Sequence, residues 1–219
     1  MKRRRIYDIS DNDPKIKRSG DEKKERGDIL EIYSRLSTEG QMQVDVIFQD
    51  IEAKAIKDMS FMEGIAEICN YLDGKGIHRA LLTRNVQTSI DAMHEKLWKQ
   101  MSIKERFSPA VGRDSMVDGI VLPPKPAPDA ILHICKVWEC SPKDVIMVGD
   151  SAADDIASAF RAGCGGRVLL QLDGQVLDNN SSGHSDPQVH EEVAERKPTL
   201  TVISLMQLIE VMVAANDEV

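Results

Sequence analysis

No stretch of the 219 residues holds the eighteen or so consecutive apolar side chains that a membrane-crossing helix needs. Nor is the basic start followed by the apolar segment of a signal peptide. The four cysteines, Cys69, Cys135, Cys140 and Cys164, lack C-x-x-C spacing, and His78, His94, His133, His184 and His190 do not complete a zinc pattern beside them. Cysteine therefore reads as a small, reduced core residue. The expected compartment is intracellular, cytoplasmic by default, with organellar targeting left open. A surplus of positive charge is missing too. The 28 Lys and Arg stand against 36 Asp and Glu, a formal net charge of -8, which argues against nucleic-acid and membrane partners. Basic residues concentrate only in 1–26, a stretch almost without apolar side chains that reads as a solvated, disordered arm.

With 42% hydrophobic residues, the chain is long enough for one principal domain with a small helical accessory. Between Gly27 and Asp58 apolar residues recur at helical spacing on either side of Ser37-Thr38-Glu39-Gly40, which predicts a helical hairpin over 27–58. From 59 to 219 helices and strands alternate. Met62-Glu63-Gly64 opens a helix with the face Ile65, Ile68, Cys69 and Leu72, closed at Asp73-Gly74-Lys75-Gly76. A strand over Ile77–Thr83 follows, then a helix from Gln87 to Gln100, a strand-like piece at Phe107–Val111 and a helix from Asp129 to Trp138. Val145-Ile146-Met147-Val148 is a continuous apolar run of the kind that suits a strand buried on both faces. A helix from about Asp154 to Ala162, a strand over 168–172, a polar loop insertion over 173–197, a strand at Val202-Ile203 and a helix from Leu205 to Val213 complete the pattern. Such alternation implies an α/β fold, a Rossmann-like parallel sheet with helices on both faces and ligands at the carboxyl ends of the strands.

Three segments at such ends carry chemistry. Leu81-Leu82-Thr83-Arg84-Asn85 places a hydroxyl and loop amides beside a helix N-terminus, which suits a phosphate oxygen and, taken alone, suits an N-cap better. Arg84 suits an anion or a surface role. Lys125 stands between Pro124 and Pro126, which hold its backbone extended, so its ammonium suits neutralising phosphoryl charge or, equally, the place of an ordinary surface lysine in a Pro-rich turn. The apolar strand then delivers Gly149-Asp150-Ser151, with Asp154 and Asp155 one turn on. Mg²⁺ needs only a few hard oxygen ligands besides its waters and a substrate phosphate, and these carboxylates offer them.

Thr83, Lys125 and Gly149-Asp150-Ser151 through Asp155, in that order and on those elements, resemble the second, third and fourth motifs of the haloacid dehalogenase superfamily. The likeness runs from about Met62 to Val213, with Lys125-Pro126-Ala127-Pro128 and Arg161-Ala162-Gly163 in agreement. The resemblance implies a Mg²⁺-dependent phosphatase scaffold acting on a small phosphorylated metabolite. Thr83 would bind the transferring phosphoryl group, Lys125 would stabilise nucleophile and phosphoryl charge, and Asp150 would anchor Mg²⁺, assisted by Asp154 or Asp155. The shorter family spacing selects Asp154; the distance on to Gly163 selects Asp155.

The resemblance also implies a first motif, an apolar strand ending in D-x-D-G-T, whose first aspartate attacks phosphorus. No D-x-D-G-T occurs here, and no nucleophile is assigned. Asp11-Asn12-Asp13 precedes Pro14 and follows a polar stretch, so it reads as a turn. The 27–58 hairpin sits where the family inserts a small cap. On that alignment the central strand is missing, Met1 is an internal methionine of a longer protein, and the chain as written is inactive. The rival from another class is a non-catalytic protein that keeps the phosphate and Mg²⁺ pocket without the nucleophile. A receiver-like signalling domain fits less well, because the acidic motif comes late. Substrate identity and oligomeric state are left open.

Overall fold

The spacing of Ala130, Ile131, Ile134 and Cys135 places four side chains on one stripe, and all four are buried in the helix they form, Asp129–Trp138. The same logic runs through the computed structural model, which describes residues 29–103, 105–171 and 194–217. The 1–26 arm and 173–193 of the expected insertion lie outside the described residues; of the rest of that insertion, Ala194 and Glu195 are helical. Among the described residues no helix is long and apolar enough to cross a membrane.

The chain divides into two compact units, Met1–Asp50 and Ile51–Val219. In the first lie α1 (Ile29–Ser34) and most of α2 (Thr38–Asp58). The break between them falls at 35–37, earlier than expected. Ser37 Oγ accepts the Gly40 amide at 3.2 Å, an N-cap contact that draws Thr38, Glu39 and Gly40 into the first turn of α2. Tyr33 donates from its hydroxyl to Asp45 Oδ1 at 2.8 Å. No residue of α2 is buried; Val46 and Ile47 are exposed.

The second unit is built from α3 (Ile65–Gly74), β1 (Leu81–Leu82), α4 (Gln87–Met101), β2 (Ala110–Val111), β3 (Met116–Val117), β4 (Ile120–Val121), α5 (Asp129–Trp138), β5 (Ile146–Gly149), α6 (Ala157–Ala162), β6 (Gly166–Leu170), β7 (Leu200–Val202) and α7 (Leu205–Asp217). Strands β5, β6 and β7 form one parallel sheet in that order, β1 and β2 a second parallel pair, and β3 with β4 an antiparallel hairpin absent from the sequence reading. Alternation along β6 sends Val168 and Leu170 into a cluster with Ile68 of α3 and Leu205 and Leu208 of α7. Ile131 and Cys135 of α5 and Ala159 and Ala162 of α6 form another cluster, against Met147 of β5 and Leu82 of β1. Helices thus serve both faces. Leu82 also packs with Val111 and Ile134, so α5 touches both parallel pieces. Burying side chains of this size contributes roughly 1.5–3 kcal/mol each.

The expected strands differ in their bounds: 107–111 shortens to Ala110–Val111, the strand expected from 168 begins at Gly166, and that expected at 202–203 runs over Leu200–Val202. Pairing confines β1 to Leu81–Leu82 rather than 77–83, because β2 offers only two partners. Strand β5 is not buried on both faces: Ile146 is 59% exposed and Val148 37%. Among the described residues β5 pairs only with β6, leaving its other edge and the face bearing Ile146 and Val148 without the neighbours that an apolar central strand has.

Candidate active site

Every charged group of the centre comes from a chain segment that has just left a parallel strand or is about to enter a helix. Strand β1 ends at Leu82, and Thr83, Arg84 and Asn85 turn towards α4. The Asn85 amide donates to Thr83 Oγ1 at 3.1 Å, which fixes the turn; the hydroxyl still carries a proton to donate. The first amide of α4, Gln87 N, donates to both carboxylate oxygens of Asp114, at 2.9 and 3.2 Å. That helix end is therefore capped by the Asp114 side chain.

Lys125 lies on the loop between β4 and α5, with its side chain only 10% exposed. Its Nζ donates to Asp155 Oδ1 at 2.5 Å and to the Leu82 carbonyl at 3.2 Å. One ammonium thus ties the end of β1 to the acidic turn after β5. A lysine buried to this degree requires a counter-charge, and Asp155, itself 3% exposed, supplies it.

The acidic turn is a π-helical segment, Ala152–Ile156, continuing into α6. An extra residue per turn is the usual content of a π-bulge, and such bulges gather at functional sites. It accommodates two adjacent acids between Ser151 and Gly163 and gives each acid its own partners. Asp155 folds back over Gly149, where any Cβ would overlap its carboxylate, and its Oδ2 accepts the Ser151 amide at 3.1 Å. Asp154 is half-buried; its Oδ2 accepts from Ser151 Oγ at 3.2 Å and from Arg84 at 3.3 Å. Asp150, at the strand tip, is exposed and makes no hydrogen bond or ion pair with the described residues.

The structure therefore links Arg84, Asp154, Asp155 and Lys125 through Ser151; Thr83 bonds instead to the Asn85 amide and the Val111 carbonyl, and Asp150 adjoins through Ser151. It does not gather the three acids around one point. Among the described residues no group of three or more His, Cys, Asp or Glu is placed to hold a metal ion. Two carboxylates, Asp150 and Asp154, retain the hard-oxygen chemistry that Mg²⁺ accepts with water and substrate completing its shell. Ser151 was missed as a working residue: the sequence places it between the acids, but only the fold shows it holding Asp154 by its hydroxyl and Asp155 by its amide. The Leu82 carbonyl, a backbone group, had no sequence signal.

A family model described as haloacid dehalogenase-like hydrolase matches residues 11–163, and a second, HAD-hydrolase-like model matches 123–207. A haloacid dehalogenase-like hydrolase domain-containing protein of Arabidopsis thaliana is 43% identical over 136 residues, which cover 62% of this chain and 51% of that protein. The chain spans about half the length of that relative. An uncharacterised hydrolase of Saccharomyces cerevisiae is 32% identical over 192 residues, covering 87% of this chain and 78% of the yeast protein. Among solved structures, a HAD family hydrolase from Deinococcus radiodurans R1, with bound phosphate and sodium, superimposes with a TM-score of 0.56 at 17% identity, covering 86% of this chain and 82% of that one; this is a likeness of fold.

Proposed function

Because the chain belongs to the haloacid dehalogenase-like hydrolases, we propose that it is the phosphoryl- and Mg²⁺-binding scaffold of a phosphatase acting on small phosphomonoesters. The observation that carries this reading is Lys125, a buried ammonium held between the Leu82 carbonyl and Asp155 at the carboxyl ends of parallel strands. A fixed cation in a partly dry site is worth more to a phosphoryl dianion than the same cation in water, and it costs no reorganisation when the anion arrives. The Thr83 hydroxyl donates to a phosphoryl oxygen from the adjoining strand end. Asp155 positions Lys125, and through the Ser151 amide it also holds the acidic turn in register. Asp150 and Asp154 would hold Mg²⁺, which supplies further neutralisation of phosphoryl charge when bound. Arg84, held by Asp154 at 3.3 Å, would exchange that carboxylate for a phosphoryl oxygen. The phosphate in the Deinococcus structure supports a phosphoryl site in this fold.

Turnover requires a carboxylate nucleophile, and D-x-D-G-T is absent from the sequence. The chain by itself is thus proposed to bind phosphate and Mg²⁺ without hydrolysing esters, which is also the behaviour of the non-catalytic alternative. Two measurements on the 219-residue protein test the reading. Calorimetric titration with inorganic phosphate in the presence of Mg²⁺ should show saturable binding, weakened at least about tenfold in Lys125→Met. Release of p-nitrophenol from its phosphate ester should stay at background. Absence of phosphate binding sinks the phosphoryl-site assignment; hydrolysis that disappears in Lys125→Met sinks the inactivity.

A further inference from the structure

The end of β2 is built against the Thr83 loop. An added Cβ at Gly112 would come within 2.6 Å of the Asn85 carbonyl, so glycine allows the close approach. The next amide, Arg113 N, donates to that carbonyl at 3.0 Å. The other polar side chains of this turn serve it internally: Asp114 caps α4, and Ser115 Oγ accepts the Gly112 amide at 2.8 Å. The Arg113 guanidinium reaches outwards to a different element, Glu52 of α2, at 2.5 Å, with side-chain exposures of 25% and 19%. A guanidinium paired with a carboxylate in a three-quarters-buried place, on a residue whose backbone amide is bonded to the Thr83 loop at Asn85, is an arrangement that can recognise a planar anion. The carboxylate is carried by a helix that buries none of its residues, and whose last turn is held by Lys96 Nζ donating to the carbonyls of Ile56, Lys57 and Met59, at 2.8, 3.3 and 2.9 Å. Glu52 is therefore held by exchangeable polar contacts rather than by a core.

Resting on the phosphoryl-site reading, we propose that Arg113 is a specificity residue: it binds a second anionic group on the phosphomonoester, and Glu52 occupies that place as an internal carboxylate until the ligand displaces it. The substrate class is then a small phosphomonoester carrying a carboxylate or a second phosphate. A merely structural ion pair would respond alike to loss of either partner; a guanidinium with a resident competitor responds in opposite directions.

The test compares phosphoglycolate with ethyl phosphate, which replaces the carboxylate by a methyl group, in calorimetric titrations of the full 219-residue chain with Mg²⁺. The wild-type protein should prefer phosphoglycolate by about tenfold or more. Arg113→Gln should bring the ratio close to one, and Glu52→Gln should raise it severalfold, a gain that damage to folding cannot mimic. Binding of both esters without preference overturns the proposal and leaves the phosphoryl site standing. A Glu52→Gln ratio that falls with that of Arg113→Gln also overturns it, and makes the pair structural. Failure of both esters to bind the wild-type chain overturns the phosphoryl-site reading together with this one.

Discussion

Replacing Asp155 by Asn removes one charge from the contact on which the centre depends, while keeping the shape and an acceptor for the Ser151 amide. The partners are 10% and 5% exposed at the side chain and 2.5 Å apart, so Lys125 would be left charged in a place with little water. Breaking a buried pair in this way costs roughly 3–5 kcal/mol. The Leu82 carbonyl, at 3.2 Å, still accepts from the ammonium and draws the expectation to the lower end. In a protein of this length each kcal/mol moves the melting midpoint by about 2–4 °C, so Asp155→Asn should melt about 6–15 °C lower. The diagnostic feature is the double substitution. Lys125→Met alone strands the carboxylate and Asp155→Asn alone strands the ammonium, whereas the pair strands neither; the double variant should be more stable than the sum predicts by at least about 1 kcal/mol. Urea unfolding followed by far-ultraviolet circular dichroism supplies the free energies, with equal m-values as the check that the unfolded states correspond. An Asp155→Asn variant within about 0.5 kcal/mol of wild type, or strictly additive effects, would refute the claim that this contact is a buried, mutually dependent pair.

Gly149→Ala puts a methyl group into the space of the Asp155 carboxylate and should lower the melting midpoint as Asp155→Asn does; a wild-type midpoint would mean that Asp155 can leave Gly149 without consequence. His94 is buried, its Nε2 accepts the Phe107 amide at 3.1 Å, and among the described residues Nδ1 has no partner. Burial, followed by the nearby Arg106, holds its pKa below 6.5 although Asp91 pulls the other way. The unfolded chain therefore binds a proton at this residue before the folded one does. The stability it contributes is whole above about pH 6.5 and falls as the pH drops from there towards the lowered folded value. His94→Gln should flatten that part of the profile, and an unchanged slope between pH 7 and 5 would assign it to other groups.

Much of the second unit was legible because its signals are local. Helix α5 was read to the residue, since its apolar stripe and the prolines before it leave few alternatives, and the strand-end positions of Thr83 and Asp150 followed from runs of apolar residues that stop at polar ones. The hairpin Met116–Val121 was not read, because its pairing spans only Met116 with Val121 and Val117 with Ile120, too short for period-two alternation to show. The burial of Val145–Val148 was misread for a different reason: apolarity records what a strand is suited to, whereas burial depends on which neighbours it has, and β5 pairs on one edge.

Residue type and spacing by themselves determined the family resemblance and the α/β alternation, and named the candidate phosphate-binding groups, because these depend on short stretches of chain. Tertiary structure alone decided how those groups divide their work. Adjacent acids point to different partners only once a π-turn has rotated them apart, so Asp155 became the counter-ion of Lys125 and Asp154 the partner of Arg84. The Leu82 carbonyl and the Arg113–Glu52 contact likewise join residues 43 and 61 positions apart, and proximity across such distances is set by packing rather than by any local pattern.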